Sequence, residues 1–178
     1  MKSRREGAVG AALIAGAVAV GLLVALISML GERTRFEEFP LGDQLGQDNG
    51  ETFASYAERA ADSLEAAPDT VPVFALVTFA ETLTSGEAST VLEPVERVDA
   101  VIPPDAPLKP VGEPKNGRGR TEIFRISAGD ELAGAVIRDT GDVLRDLASA
   151  DMIAVIEALP SDAVWGAFGV RPVNIQAR

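Results

Sequence analysis

The chain has 178 residues, 47% of them hydrophobic, enough for one domain with a core of its own, and its 16 Lys and Arg against 27 Asp and Glu give a formal net charge of −11. It contains no His and no Cys, which excludes Ser-His-Asp and Cys-His catalysis, disulfides, and zinc, haem or iron–sulfur centres held by those residues. The acidic balance repels nucleic acid and anionic headgroups, and neither a P-loop nor a G-x-G-x-x-G fingerprint occurs.

Residues 1–7 form a short basic tail in which Lys2, Arg4 and Arg5 are opposed only by Glu6. Residues 8–30 then run without a charge. As a helix this stretch spans roughly 30–35 Å, the thickness of a bilayer's hydrocarbon core, and a helix is the form a lone apolar segment takes there. Ser28, Met29, Leu30 and Gly31 close the run without an A-x-A cleavage pattern, and no cysteine is present to carry a lipid. The reading is an uncleaved signal anchor. The basic tail places the N-terminus inside and the C-terminal domain outside the cytoplasmic membrane. The excess of Arg over Lys and the abundance of Ala, Gly and Val indicate a GC-rich bacterial source.

One side of the inner half of this anchor carries small residues: Ala8, Ala12, Ala15, Gly16 and Ala19. Small side chains let two membrane helices approach closely, so these five are the candidate contact with a neighbouring membrane helix. Residues 31–50 are polar and glycine-containing and read as a stalk, with Phe36 and Phe39 near the outer headgroups.

The domain proper is expected over 51–178. A helix follows Asp48 and Asn49, with Phe53, Tyr56, Ala57, Ala60 and Leu64 on one face and Pro68 as its stop. Residues 71–80 read as a central strand buried on both faces. Thr84 and Glu87 have capping-box spacing and open a short helix through Leu92, which Pro94 ends. A strand covers 97–102. Residues 103–120 hold five prolines and three glycines and form an exposed loop. Residues 121–126 alternate as an edge strand. Ser127 and Asp130 are expected to cap a long helix ending near Ala150, with Leu132, Val136, Val143 and Leu147 on its face and Gly134 and Gly141 weakening it. A buried strand over 152–158, a helix over 161–168 and a strand over 170–175 complete the chain.

Two segments, 81–85 and 157–161, share the pattern E-x-L-x-S, each after an apolar strand and before a short helix. Two such strand–helix–strand units side by side predict an α+β, ferredoxin-like extracytoplasmic domain built from two β-α-β units plus additional helices. Its open sheet face or edges would be free to receive a partner.

Candidate chemistry is limited to carboxylates. Asp139, Asp142 and Asp146 would share one face of the long helix as a solvated, salt-bridged surface. Trp165, the single tryptophan, is expected as a core anchor. No catalytic residue, metal ligand or cofactor is expected. The resulting reading is a non-catalytic single-pass membrane protein, an accessory or scaffolding subunit of a larger complex, whose partners are integral membrane proteins and the lipid bilayer rather than nucleic acid. In layout alone it is similar to the small single-span accessory subunits of bacterial respiratory supercomplexes. A membrane-tethered binding module or sensor is the alternative, and a carboxylate-only hydrolase a remote one.

Overall fold

The structure, a computed structural model, describes residues 42–115 and 117–176. The basic tail, the apolar run and the first part of the expected stalk lie outside the described residues. Among the described residues no helix is long and apolar enough to cross a membrane.

These residues form a mixed α+β domain. In chain order they give β1 (Gly42–Leu45), α1 (Phe53–Glu65), β2 (Val73–Leu83), α2 (Ser85–Val91), β3 (Arg97–Ile102), β4 (Lys109–Pro110), α3 (Arg120–Ala128), β5 (Leu132–Asp139), α4 (Gly141–Ala148), β6 (Ile153–Ala158) and β7 (Phe168–Val170). Five strands make one sheet in the order β4-β3-β5-β2-β6, and every neighbouring pair is antiparallel. The passages β2-α2-β3 and β5-α4-β6 interleave, so that each pair of parallel strands has a strand of the other passage between its members. β1 and β7 pair in parallel as a separate two-stranded ribbon.

Local chemistry accounts for much of this. Thr52 caps α1 by accepting the Ser55 N–H at 3.2 Å. The Thr84 hydroxyl accepts the Glu87 N–H at 3.2 Å, and the Glu87 carboxylate accepts the Thr84 N–H at 2.8 Å, which completes the capping box of α2. β2 is buried along Val73–Phe79 because it has a strand on either side and cover on both faces. The carbonyls at the end of α1 are met by α4: Arg145 donates to the carbonyls of Leu64 and Ala67, and the Gly141 N–H donates to Pro68 at 2.8 Å. All four helices put side chains into the larger core on one sheet face, among them Leu64, Ala88, Phe124 and Leu144. A smaller core of Leu45, Phe74, Leu76, Ala100, Val136 and Leu159 lies on the opposite face.

Several expectations are corrected. The end of the stalk is not a spacer, since residues 42–45 are a strand and Leu45 is fully buried. The edge strand over 121–126 is α3, because the adjacent pair Ile123 and Phe124 fits a helical face and breaks strict alternation. The long helix over 130–150 is β5 followed by α4. Leu132 and Val136 lie on the strand, and Asp130 serves α2 instead, accepting the Ser85 N–H at 3.1 Å. The helix over 161–168 is two turns, Ala163 N–H to Pro160 O and Ala167 N–H to Val164 O, and Gly166 at φ +84° stops a helix from continuing. The last strand is only Phe168–Val170 and lies outside the main sheet. The E-x-L-x-S correspondence is therefore coincidental: one copy opens α2 and the other opens a loop. Phe74 and Leu76 do lie on an interior strand, but Ile153 and Val155 lie on β6 at the edge.

Gly134 sits opposite Thr78 on β2 and Ile102 on β3. A Cβ built on it would come within 2.5 Å of the Val77 carbonyl oxygen, so it is a required close contact between strands and not a tolerated defect in a helix. Gly134→Ala is expected to lower stability by about 1–3 kcal/mol. A urea titration reads this as an earlier midpoint at unchanged slope, and an unaltered midpoint would show that the strands part without cost.

Candidate functional site

The second sheet face is only partly covered. The β1–β7 ribbon and the turns after Leu159 pack over the Phe74 end, where Phe74, Trp165 and Phe168 form an aromatic cluster with ring centroids 5.3–5.8 Å apart. Beyond them lies a groove of about 920 Å³, at the upper end of the range for small-molecule sites. Its floor is the strand surface around Leu76, Thr78 and Gly134, one wall is residues 103–108, and the other is residues 170–176.

Both walls are stiffened by their sequence. Pro103, Pro104 and Pro107 fix three φ angles in the first wall, and Pro172 fixes one in the second. Asp105 holds φ +55°, a left-handed conformation uncommon outside glycine. Gly134 leaves the floor low because it has no side chain. Among the ionisable residues lining the groove, Arg171 is already paired with Asp48, while Glu81 and Asp105 are exposed acids. The rim therefore favours neutral or cationic ligands over anions.

The second wall is held from behind by a buried charge. Glu157, at the inner end of β6, is 4% exposed. Its carboxylate accepts the Gly46 N–H at 2.5 Å, the Tyr56 hydroxyl at 3.2 Å and the Arg59 guanidinium. Arg59 also donates to the Gly46 carbonyl and to Glu51, both at 3.0 Å. Gly46 is thereby fixed at φ +98°, where a Cβ would meet the Arg171 carbonyl oxygen at 2.3 Å. The next residue, Gln47, is buried and accepts the Asn174 N–H at 2.8 Å. The carboxylate on β6 thus positions the turn at 46–48, and the turn positions residues 171–174.

Burial pushes the Glu157 carboxyl above the usual carboxylate range, and the hydrogen bonds from Gly46, Arg59 and Tyr56 pull against it. Burial also pushes the Tyr56 phenol well up, with the neighbouring Glu157 charge adding to the effect. The hydrogen bond with Glu51 raises Arg59 and lowers Glu51. These groups satisfy one another and do not line the groove. Among the described residues, no cluster of three or more acidic side chains is placed to hold a metal ion.

The other expected residues do not converge on the groove. Ala8, Ala12, Ala15, Gly16 and Ala19 lie outside the described residues. Asp139 is buried on β5, accepting the N–H groups of Glu96 at 2.6 Å and Thr140 at 2.8 Å, so it shares no helix face with Asp142 and Asp146 on α4. Trp165 is not enclosed in the core and stays 40% exposed. Sequence reasoning missed the role of Glu157. The signal for it was a lone acid inside the apolar run 152–159, since a charge in a buried strand must find partners. No protein-family model, curated protein or solved structure matches the chain.

The buried network can be tested at two of its members. Tyr56 is the only tyrosine, so phenolate absorbance reads it alone. A raised folded pKa means its contribution to stability is complete below about pH 10, the ordinary tyrosine value, and is lost as pH rises beyond it. No phenolate should appear near pH 10 until the domain unfolds, and reversible ionisation there with intact circular dichroism would refute the buried hydrogen bond. Glu157→Ala leaves the Gly46 N–H and Tyr56 hydroxyl without an acceptor and is expected to cost about 2–4 kcal/mol. Limited proteolysis should then cut first within residues 170–176, and an unchanged cleavage pattern would show that the wall stands without the carboxylate.

Proposed function

We propose that the chain is a non-catalytic, single-pass membrane protein whose extracytoplasmic domain serves as an accessory or scaffolding subunit of a larger bacterial membrane complex. The observation that carries this reading is the charge-free run 8–30, preceded by a basic tail and followed by an acidic folded domain. We also infer that the core of the domain is ferredoxin-like. The interleaved passages β2-α2-β3 and β5-α4-β6 and the central order β3-β5-β2-β6 support that class. The class does not by itself imply an activity. Ala8, Ala12, Ala15, Gly16 and Ala19 are the proposed contact with a partner's membrane helix.

A second reading, a membrane-tethered binding module, is favoured by the groove of about 920 Å³ with its proline-stiffened walls.

Protease added to intact spheroplasts is expected to remove the domain, and full protection would refute the orientation. A gentle detergent pull-down of the intact chain separates the two readings. Stoichiometric membrane partners, lost when Ala12→Leu and Gly16→Leu are combined, identify a subunit joined through its anchor. Recovery unaffected by the pair of substitutions removes the anchor from the interface, and recovery of no membrane protein leaves the binding module as the function.

A further inference from the structure

The ribbon strand β1 begins at Gly42, and Gly42 is pressed against the loop that carries Trp165. Its Cα partner is Phe168, and a Cβ on it would lie 2.4 Å from the Ala167 carbonyl oxygen. On this loop Val164 is 63% exposed and Trp165 40% exposed. The Trp165 ring rests on Phe74 and Phe168 and is supported by the fold. Arg138 stands over one of these supporting rings, 5.4 Å from the Phe74 centroid, and makes no salt bridge among the described residues. The fold thus displays an exposed valine, a half-exposed indole and an exposed guanidinium together at the end of the domain that holds Gly42.

The geometry points to the Val164–Trp165 loop as a membrane-interface contact that seats the domain on lipid headgroups, with Arg138 available to a lipid phosphate. The inference rests on the reading of residues 8–30 as an anchor. Only the eleven residues 31–41 separate that run from Gly42. Whatever its conformation, a chain of that length reaches at most about 36–40 Å. That limit keeps the loop within reach of the bilayer, where even a weak contact gains from proximity. Indole is the side chain suited to this place, with an apolar body and a polar N–H, and Arg pairs well with phosphate. The chemistry also limits depth. Residues 163–169 carry no charge, but Asp162 precedes them, Asp43 lies beside Gly42 on β1, and both are exposed, which keeps the loop at headgroup level.

Trp165 is the only tryptophan in the protein and reports on itself. The full chain is reconstituted into phosphatidylcholine–phosphatidylglycerol vesicles whose acyl chains carry bromine close to the headgroup. Vesicle flotation after alkaline extraction first checks the anchor, and a chain that fails to float overturns the anchor reading and this inference with it. In a chain that floats, the expected result is a blue shift and loss of Trp165 emission to the brominated lipid, with shielding from aqueous iodide. Val164→Asp, at an exposed position, should restore emission and iodide access while leaving the domain's circular dichroism unchanged. Quenching by iodide and not by lipid overturns the contact while the anchor reading stands. Shielding from both quenchers would mean that protein covers the loop, and quenching that persists in Val164→Asp would place the lipid contact elsewhere. Either of these also overturns it.

Discussion

A carboxylate without access to water must find its donors within the protein, and Glu157 finds them on two other segments. Gly46 comes from the turn that follows the ribbon strand β1, and Tyr56 and Arg59 come from α1. Glu157 itself belongs to β6. One buried charge therefore joins the start of the domain, its first helix and its edge strand. Removing any one partner strands the others in a low-dielectric interior, so the arrangement forms as a unit. It also protects the edge strand. β6 has a neighbour only in β2, and α1 lies against it, with the Ser63 hydroxyl accepting the Ala158 N–H at 3.0 Å. The edge is thus closed to pairing with another chain.

The central strands impose a second constraint. β5 lies between β3 and β2, and at Gly134 its backbone comes so close to β2 that a Cβ would lie 2.5 Å from the Val77 carbonyl oxygen. The consequence appears at the groove, where Gly134 leaves the sheet without side-chain cover. The ribbon does not make up for it. Its three paired positions, Phe168, Gly169 and Val170, end at the border of the groove. The helices fill one face, while the other is divided between an aromatic cap and an open trough.

The legible parts of the sequence are those decided by neighbours in the chain. Pro68, Pro94 and the Thr84–Glu87 box bound α1, β2, α2 and β3 because caps and prolines act within one turn. β5 and α4 were decided at long range. Leu132, Val136, Val143 and Leu147 repeat at helical spacing, but the adjacent β-branched Val136 and Ile137 suit a strand. Only the presence of strands on both sides selects the extended form. The same holds for α3, whose first residue, Arg120, donates to the carbonyls of Leu92 and Val95 at the end of α2, contacts more than twenty residues away in sequence. The groove has no local signature, since its walls come from residues 103–108 and 170–176 and meet only through the sheet. Its proline content was visible, but not what the prolines face.

The walls are of a kind that can bind without first being ordered. Residues 103–108 make few backbone hydrogen bonds of their own, and proline rings and the left-handed Asp105 restrict them. Residues 171–174 are fixed through Gly46 and Gln47. Much of the conformational entropy of this site is therefore lost when the domain folds, and a ligand has less to lose on entering. The exposed acids Glu81 and Asp105 set the sign of what enters, and the apolar floor sets its character.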